Sequence, residues 1–453
     1  MTIDARNPEY LAAAKRWQRN RDVIAGEDEI KAAGEAYLKR INGQSDSAYL
    51  AYVDSVDYFP GACRTLEANI GLVFRKPASF TAPAGLADYF ETVTDALNLE
   101  QLARVLLSET MITNWTALLV DHPTMPEGSI SKAQAFELGL VPRLALYKAE
   151  AILDVAFARI GNRRAIVGAR LLDDLNTIRE LRLEEGVYSV TMHRLIGGTW
   201  FQGETITPLK DGKPLNAIPL KIITTEPNTL TPPKAPFDDL CRLNVSHYRA
   251  QARLNNVLNY IGAPIRYVTG LDDFETEFRV AVDSIWQFKG GKDGQEVKVD
   301  ISEHSGQGVA SLSNYVDAIE KQMANIGSKI LQSDKLVGEA AETLLIRRSA
   351  ENSILAAVTT CVSGGITQAL NIAMGWMATE PVSFTLNTDF LPTPMTAQDL
   401  SSMLAVVQAG RMSAETFFDM MKAGELVSDA LTWDEEQARQ ERTNIDRPPT
   451  DMI

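Results

Sequence analysis

The chain has 453 residues, of which 45% are hydrophobic and 23% charged; 44 Lys plus Arg stand against 59 Asp plus Glu, for a formal net charge of −15. This composition excludes a disordered chain, a collagen-like fibre and a small disulfide-stapled scaffold, and the length suggests about three domains. A chain this acidic repels nucleic acid at long range, so any contact with a duplex has to be local or transient.

The N-terminal stretch from Tyr10 to Leu38 predicts short helices punctuated by Gly26 and Gly34. Apolar residues spaced by three and four predict a longer helix from Ser47 to about Lys76, interrupted by Pro60, and a helical pattern from Leu86 to Leu119. From Pro142 to about Thr225 the texture changes to short alternating runs, among them Ala165–Val167, Tyr188–Met192 and Leu220–Ile223. Turn residues at Gly161-Asn162, Gly197-Gly198 and Asp211-Gly212-Lys213 separate them, which predicts a β-rich unit.

A helix is expected from about Pro236 to Tyr260, with Arg242, Arg249 and Arg253 as its basic positions. A compact β segment follows: a strand at Ile265–Val268, then a hairpin of Ser284–Lys289 and Val297–Ile301 across Gly290–Gly294. A second strong helix, about Ala310–Leu331, carries the stripe Leu312, Tyr315, Val316, Ile319, Met323, Ile326 and Ile330. The polar break Gln332-Ser333-Asp334-Lys335 precedes a long helix from about Glu339 to Met377. Asn352 to Thr379 bear no charge. That length could span a bilayer, but Thr359, Thr360, Ser363, Thr367, Gln368 and Asn371 favour a buried helix with a flexible midpoint at Gly364-Gly365. So little charge calls for cover on most sides, from the chain or from neighbouring subunits. A returning strand at Val382–Leu386, two short helices meeting at Gly410 and a fraying charged tail after Asp434 complete the order.

Catalytic patterns are hard to find. Cys63, Cys241 and Cys361 form no CxxC pair, and His122, His193, His247 and His304 never stand at i, i+4, so a metal site is not expected. There is no P-loop and no GxSxG elbow. The adjacent acids Asp173-Asp174, Glu184-Glu185, Asp238-Asp239 and Asp272-Asp273 are expected on the solvated surface. Gly290-Gly291-Lys292-Asp293-Gly294 reads as a hairpin turn rather than a phosphate cradle. The N-terminus has no apolar core of the kind a signal peptide needs.

From Ile301 the sequence ISEHSGQGVASLSNYVDAIEKQMANIGSKIL resembles the stem segment of tailed-phage portal proteins. The matching positions are Gly306, Gly308, Val309, Met323, Ile326, Gly327, Ile330 and Leu331. Asn7–Tyr10, Trp17, Arg21-Asp22, Gly26, Lys31–Gly34, Tyr37-Leu38, Phe59, Arg64, Gly71, Phe74–Pro77 and Gly262–Pro264 are similar to the same family, with Pro60 and the Ile41–Asp46 connection as departures.

The resemblance implies an α+β portal fold. Its parts would be a wing over 1–235 (helical over 1–120, β-rich over 142–225), stem helices over 236–262 and 307–331, and a clip over 263–306. A tunnel loop would follow over 332–338, then a long kinked helix with returning wing strand over 339–391, and a crown with tail over 392–453. It implies a ring, commonly of twelve copies, at one capsid vertex of a virion assembled in the host cytoplasm. Double-stranded DNA would be packaged and ejected through it without sequence specificity.

In that plan Gln332, Ser333, Asp334 and Lys335 face the DNA channel. Lys289, Lys292, Asp293 and Glu296 dock a terminase and later a head–tail adaptor or tail protein, and Gly364 and Gly365 form the kink. Major capsid and scaffolding proteins would be further partners. No enzyme activity, cofactor, metal or membrane is expected, because a separate terminase supplies the motor. Two competing readings are a packaging-associated hydrolase or protease and a membrane-associated pore.

Overall fold

The computed structural model describes residues 2–83, 86–94, 96–123, 132–210, 212–227, 229–262, 265–269, 298–302, 307–327, 341–377, 380–388, 390, 397–423, 426–428 and 431–445. These form two compact units: Met1–Gly71 with Pro77–Leu386, and Leu72–Lys76 with Asn387–Ile453.

The first unit opens with α1 (Pro8–Ala25), which starts where the Asn7 side chain accepts from the Glu9 backbone N–H and Pro8 presets the first turn. After α2 (Glu27–Ala32) come α3 (Asp46–Asp54) and α4 (Gly61–Val73), two helices where the sequence pattern suggested one interrupted helix. Pro60 is the reason. It has no N–H to give a preceding turn, but its carbonyl accepts from Arg64 and so begins α4. The buried Asn244 side chain closes the junction, accepting from the Ala62 N–H and donating to the Phe59 carbonyl.

Next come β1 (Ser79–Thr81), α5 (Ala87–Glu91), α6 (Leu99–Ile112), β2 (Thr116–Asp121), α7 (Lys132–Glu137) and β3 (Arg143–Tyr147). The expected helical run to Leu119 therefore ends at Ile112, and its last part is a strand. Asn114 breaks the helix with φ +55, and its side chain accepts from the Thr225 backbone N–H. Beyond it, Thr116–Val120 are all buried, and a strand covered on both faces shows no alternation to read.

The β-rich region is an antiparallel meander of β4 (Ile152–Ile160), β5 (Arg163–Asp174), β6 (Thr177–Glu184), β7 (Val187–Ile196) and β8 (Thr199–Ile206). Its tight turn at Glu185-Gly186 has positive φ at both residues (+50 and +78), as a primed hairpin turn requires. A small ladder of β9 (Leu209–Lys210) and β10 (Lys213–Pro214) follows, and β11 (Leu220–Ile223) then joins β2 and β3 in the order β11-β2-β3.

The core gathers Tyr10, Trp17, Trp115, Leu119, Tyr147, Ile152, Leu171, Leu181 and Tyr188, so α1 and both sheets share it. Arg21 of α1 holds this junction through Glu109 of α6 at 2.7 Å and Glu150 at 2.6 Å, with Lys148 also 3.2 Å from Glu109.

The remaining elements of the unit are α8 (Asp238–Gly262), β12 (Ile265–Thr269), β13 (Lys298–Ser302), α9 (Gln307–Gly327), α10 (Ala341–Met377) and β14 (Ser383–Thr385), which pairs with β1. The second unit holds α11 (Ala397–Gln408), α12 (Ala414–Ala423) and α13 (Trp433–Ile445). Gly410, at φ +68, turns the chain between the first two. The tail expected to fray after Asp434 is instead helical to Ile445. Thr432 and Glu435 exchange side-chain and backbone hydrogen bonds at its start, and Trp433 packs on Phe418.

Candidate functional site

The most distinctive arrangement is the helix pair α8–α9 with its ladder. Each helix follows from an apolar stripe: Leu240, Cys241, Val245, Tyr248 and Ala252 are buried on α8, and Val316, Ile319 and Met323 on α9. The two run antiparallel. Leu240 lies against Gly327, and seven residues further along α8 the His247 Nε2 lies 3.0 Å from Glu320 Oε1, seven residues back along α9. From His247 to Ile265 and from Ser302 to Glu320 the chain takes equal steps of eighteen residues, and Ile265 faces Ser302 in the antiparallel β12–β13 ladder. The helix pair and the ladder are each antiparallel.

The expected strand at Val297–Ile301 is present as β13, and its partner is β12. Its proposed hairpin mate at Ser284–Lys289 lies outside the described residues, as do Lys292, Asp293, Glu296 and Gln332, Ser333, Asp334 and Lys335.

Two residues of the stretch that resembles a portal stem have packing reasons. A Cβ on Gly327 would sit 2.9 Å from Thr65 Cγ2 and Oγ1, and Met323 Cε would lie 2.6 Å from a Cβ on Gly61. α9 thus approaches α4 as closely as glycine allows. The first unit grips α8 from the other side: Arg19 reaches Asp238 at 2.6 Å, Asn20 donates to the same carboxylate, and the Arg249 Nε donates to the Tyr37 carbonyl. Asp238, expected on the solvated surface, is buried because these partners satisfy it, whereas neighbouring Asp239 is half-buried and pairs with Lys234. Tyr315 (52% exposed) and Ile326 (51%) lie on the uncovered side of α9.

The long helix α10 is hydrogen-bonded without a break through Gly364-Gly365. The two glycines differ. A Cβ on Gly365 would lie 2.7 Å from Ile223 Cγ1, so β11 needs glycine there, whereas a Cβ on Gly364 would meet open space. Polar residues of the uncharged stretch hold the returning strand. Thr367 donates to the Phe384 carbonyl, Asn371 exchanges hydrogen bonds with Val382, and the Ser363 hydroxyl accepts from Leu386. Ile354–Met377 is long and apolar enough to cross a membrane by length and composition, and half of its apolar window is buried within the chain. Ile354, at 60% exposed, stands on the uncovered side.

Among the described residues no cluster of three or more His, Cys, Asp or Glu could hold a metal. Burial pushes the Cys241 thiol up to about 12, and burial raises Cys63 and Cys361 as well, so none is poised as a thiolate. A cavity of about 620 Å³ beside β3 is lined by Asp121, Arg143, Tyr147, Asp173 and Arg179. Arg179 already binds Asp121 at 2.7 Å and Asp173 at 3.0 Å, and the Tyr147 hydroxyl donates to Asp173.

Sequence spacing missed two histidine–carboxylate pairs because both are formed across elements: His247–Glu320, and His193 with Glu180 on neighbouring strands at 3.0 Å. In the second, the strand register is the signal that would have found it. His193 faces Ile178, two residues from Glu180 on the same side of the sheet.

A profile for a domain of unknown function, DUF4055, matches residues 236–377, from just before α8 to the last residue of α10. No curated protein matches the chain. Among solved structures, the virion of a native gene transfer agent particle aligns at 12% identity over 87% of this chain and 98% of that chain, with a TM-score of 0.44. The neck of a native gene transfer agent particle, computed with C12 symmetry, aligns at 11% identity over 93% of this chain and 99% of that chain, with a TM-score of 0.43. The neck of an empty particle, computed with C6 symmetry, aligns at 12% identity over 86% and 97%, also with a TM-score of 0.43.

Proposed function

We propose that the chain is the subunit of a phage-type portal, a head–tail connector ring at one capsid vertex. The observation that carries the reading is the antiparallel helix pair α8–α9, with the antiparallel β12–β13 ladder lying between the two helices in sequence. That is the form of a stem bearing a clip, at the place where the sequence resembles a portal stem. The long α10 follows it, and the helical second unit follows α10, in the order a wing helix and crown would take.

In this reading, copies of the chain, commonly twelve, surround double-stranded DNA that is packaged and later ejected. The ring then sits in the virion against major capsid and scaffolding proteins. The segment with Lys289, Lys292, Asp293 and Glu296 receives a terminase and then a tail adaptor. Gln332, Ser333, Asp334 and Lys335 line the channel, where a ring of lysines adds many weak, salt-screened attractions to the phosphates. The net charge of −15 per chain keeps the conduit from gripping its cargo. The chain acts structurally, without a catalytic step or cofactor.

Native mass spectrometry of the purified full-length protein tests the reading. A closed oligomer of fixed copy number is expected; monomer alone at every concentration contradicts it. Solubility only in detergent would instead favour a membrane pore built on Ile354–Met377.

A further inference from the structure

The β4–β5 hairpin is the most basic feature at its end of the meander. Arg159, Arg163 and Arg164 are all exposed there, and Ile160 between them is 52% exposed. Arg159 stands directly opposite Arg164 in the ladder, and Ile160 opposite Arg163. Like charges facing each other across strands disfavour the pairing, and the Arg159 Nε donates to the Gly161 carbonyl at 3.2 Å. The tip also overhangs. Gly168 faces Arg182 on β6, which places Glu184, the last residue of β6, level with Ile166. Arg163 therefore projects three residues, roughly 10 Å, beyond the neighbouring strand.

At the same end of the same sheet, the β6–β7 turn carries Glu184 and Glu185, both exposed. Arg182 reaches Glu184 at 3.3 Å but divides itself with Glu180 at 2.8 Å. One end of the sheet thus bears a projecting positive tip toward one side and a negative turn toward the other.

We propose that the β4–β5 tip is the basic half of a contact between neighbouring copies of this chain, received by the Glu184-Glu185 turn of the next copy. A heterologous contact needs two different, complementary patches on one chain, and it closes into a ring when the rotation allows. Chains of −15 each repel one another, so a ring of them needs local charge complementarity. Exposed Ile160 suits a protein surface better than a phosphate backbone, since arginine around an apolar centre is what protein interfaces favour. The tip has no aromatic residue on which a base could stack. The inference rests on the ring reading and names one of its contacts.

The test is sedimentation velocity of the full-length protein at low and high salt. Arg159→Glu with Arg163→Glu should raise the concentration needed for assembly about tenfold or more. The thermal midpoint should not fall, because the first of these changes replaces a like-charge pair across the strands with an opposite-charge pair against Arg164. Glu184→Lys with Glu185→Lys should weaken assembly similarly, and the two reversals combined should restore it. Tip variants that assemble like the wild type overturn the contact and leave the ring standing. If they assemble normally but lose binding to a DNA duplex, the tip is a phosphate contact and the proposal fails. A wild-type chain that never assembles overturns the ring reading, and this contact with it.

Discussion

His247 on α8 and Glu320 on α9 meet at 3.0 Å, with the imidazole 3% exposed and its Nδ1 without a partner among the described residues. A carboxylate only accepts, so Nε2 carries the shared proton. The pair sits seven residues in from the Leu240–Gly327 contact, with the His247 ring 5.2 Å from Phe59. Glu320→Ala should leave both ring nitrogens buried and unsatisfied and lower stability by about 1–3 kcal/mol. Glu320→Gln, which keeps an acceptor, should cost less. Urea denaturation of the three proteins checks the order.

Gly364 and Gly365 make a paired prediction. Gly364→Ala meets open space and removes a poor helix former, so it should be neutral or stabilising by up to about 1 kcal/mol. Gly365→Ala drives a methyl into Ile223 and should destabilise by about 1–3 kcal/mol. Opposite signs at adjacent positions, read from thermal midpoints, would identify close packing rather than flexibility as the reason for the second glycine.

The Arg21 junction predicts a pH dependence. Burial pushes the Glu150 carboxyl up, but hydrogen bonds from Arg21 and its charge outweigh this, and the net shift is downward from 4.5. A depressed carboxylate stabilises the fold fully above its unfolded pKa, and this contribution fades as the pH falls through the lower folded value. The stability gap between wild type and Glu150→Gln should therefore be present at neutral pH and narrow below about pH 4.5. Arg21→Met should lower stability by about 3–5 kcal/mol, because Glu109, 5% exposed, would keep only Lys148.

Asn244 predicts a loss of similar kind at the Pro60 junction. Asn244→Leu would orphan the Ala62 N–H and leave the Phe59 carbonyl only its bond from the Gly61 N–H. A cost of about 1–3 kcal/mol is expected, with faster hydrogen exchange at the start of α4.

What the sequence made legible was whatever had one wet face. Of the α9 stripe, Val316, Ile319 and Met323 are core whereas Tyr315 and Ile326 are exposed, and the alternation at Tyr188–Met192 predicted β7. What it hid was either buried on both sides, like β2, or nearly without apolar residues, like α13. The second could have been read: Thr432 followed three residues later by Glu435 is a capping box, and Asp434 and Glu436 also place negative charge at the helix start. The partners of Asp238, His193 and His247 are set by tertiary register, which no local spacing encodes.

The central claim is that copies of this chain form a ring with α8 and α9 as its stem. Symmetry-averaged electron microscopy of the purified protein tests it most directly. The account predicts rings of fixed copy number, on the order of a hundred ångströms or more across, with an open centre and the helix pair around it. Monomers, or closed particles whose centre is filled, would contradict it.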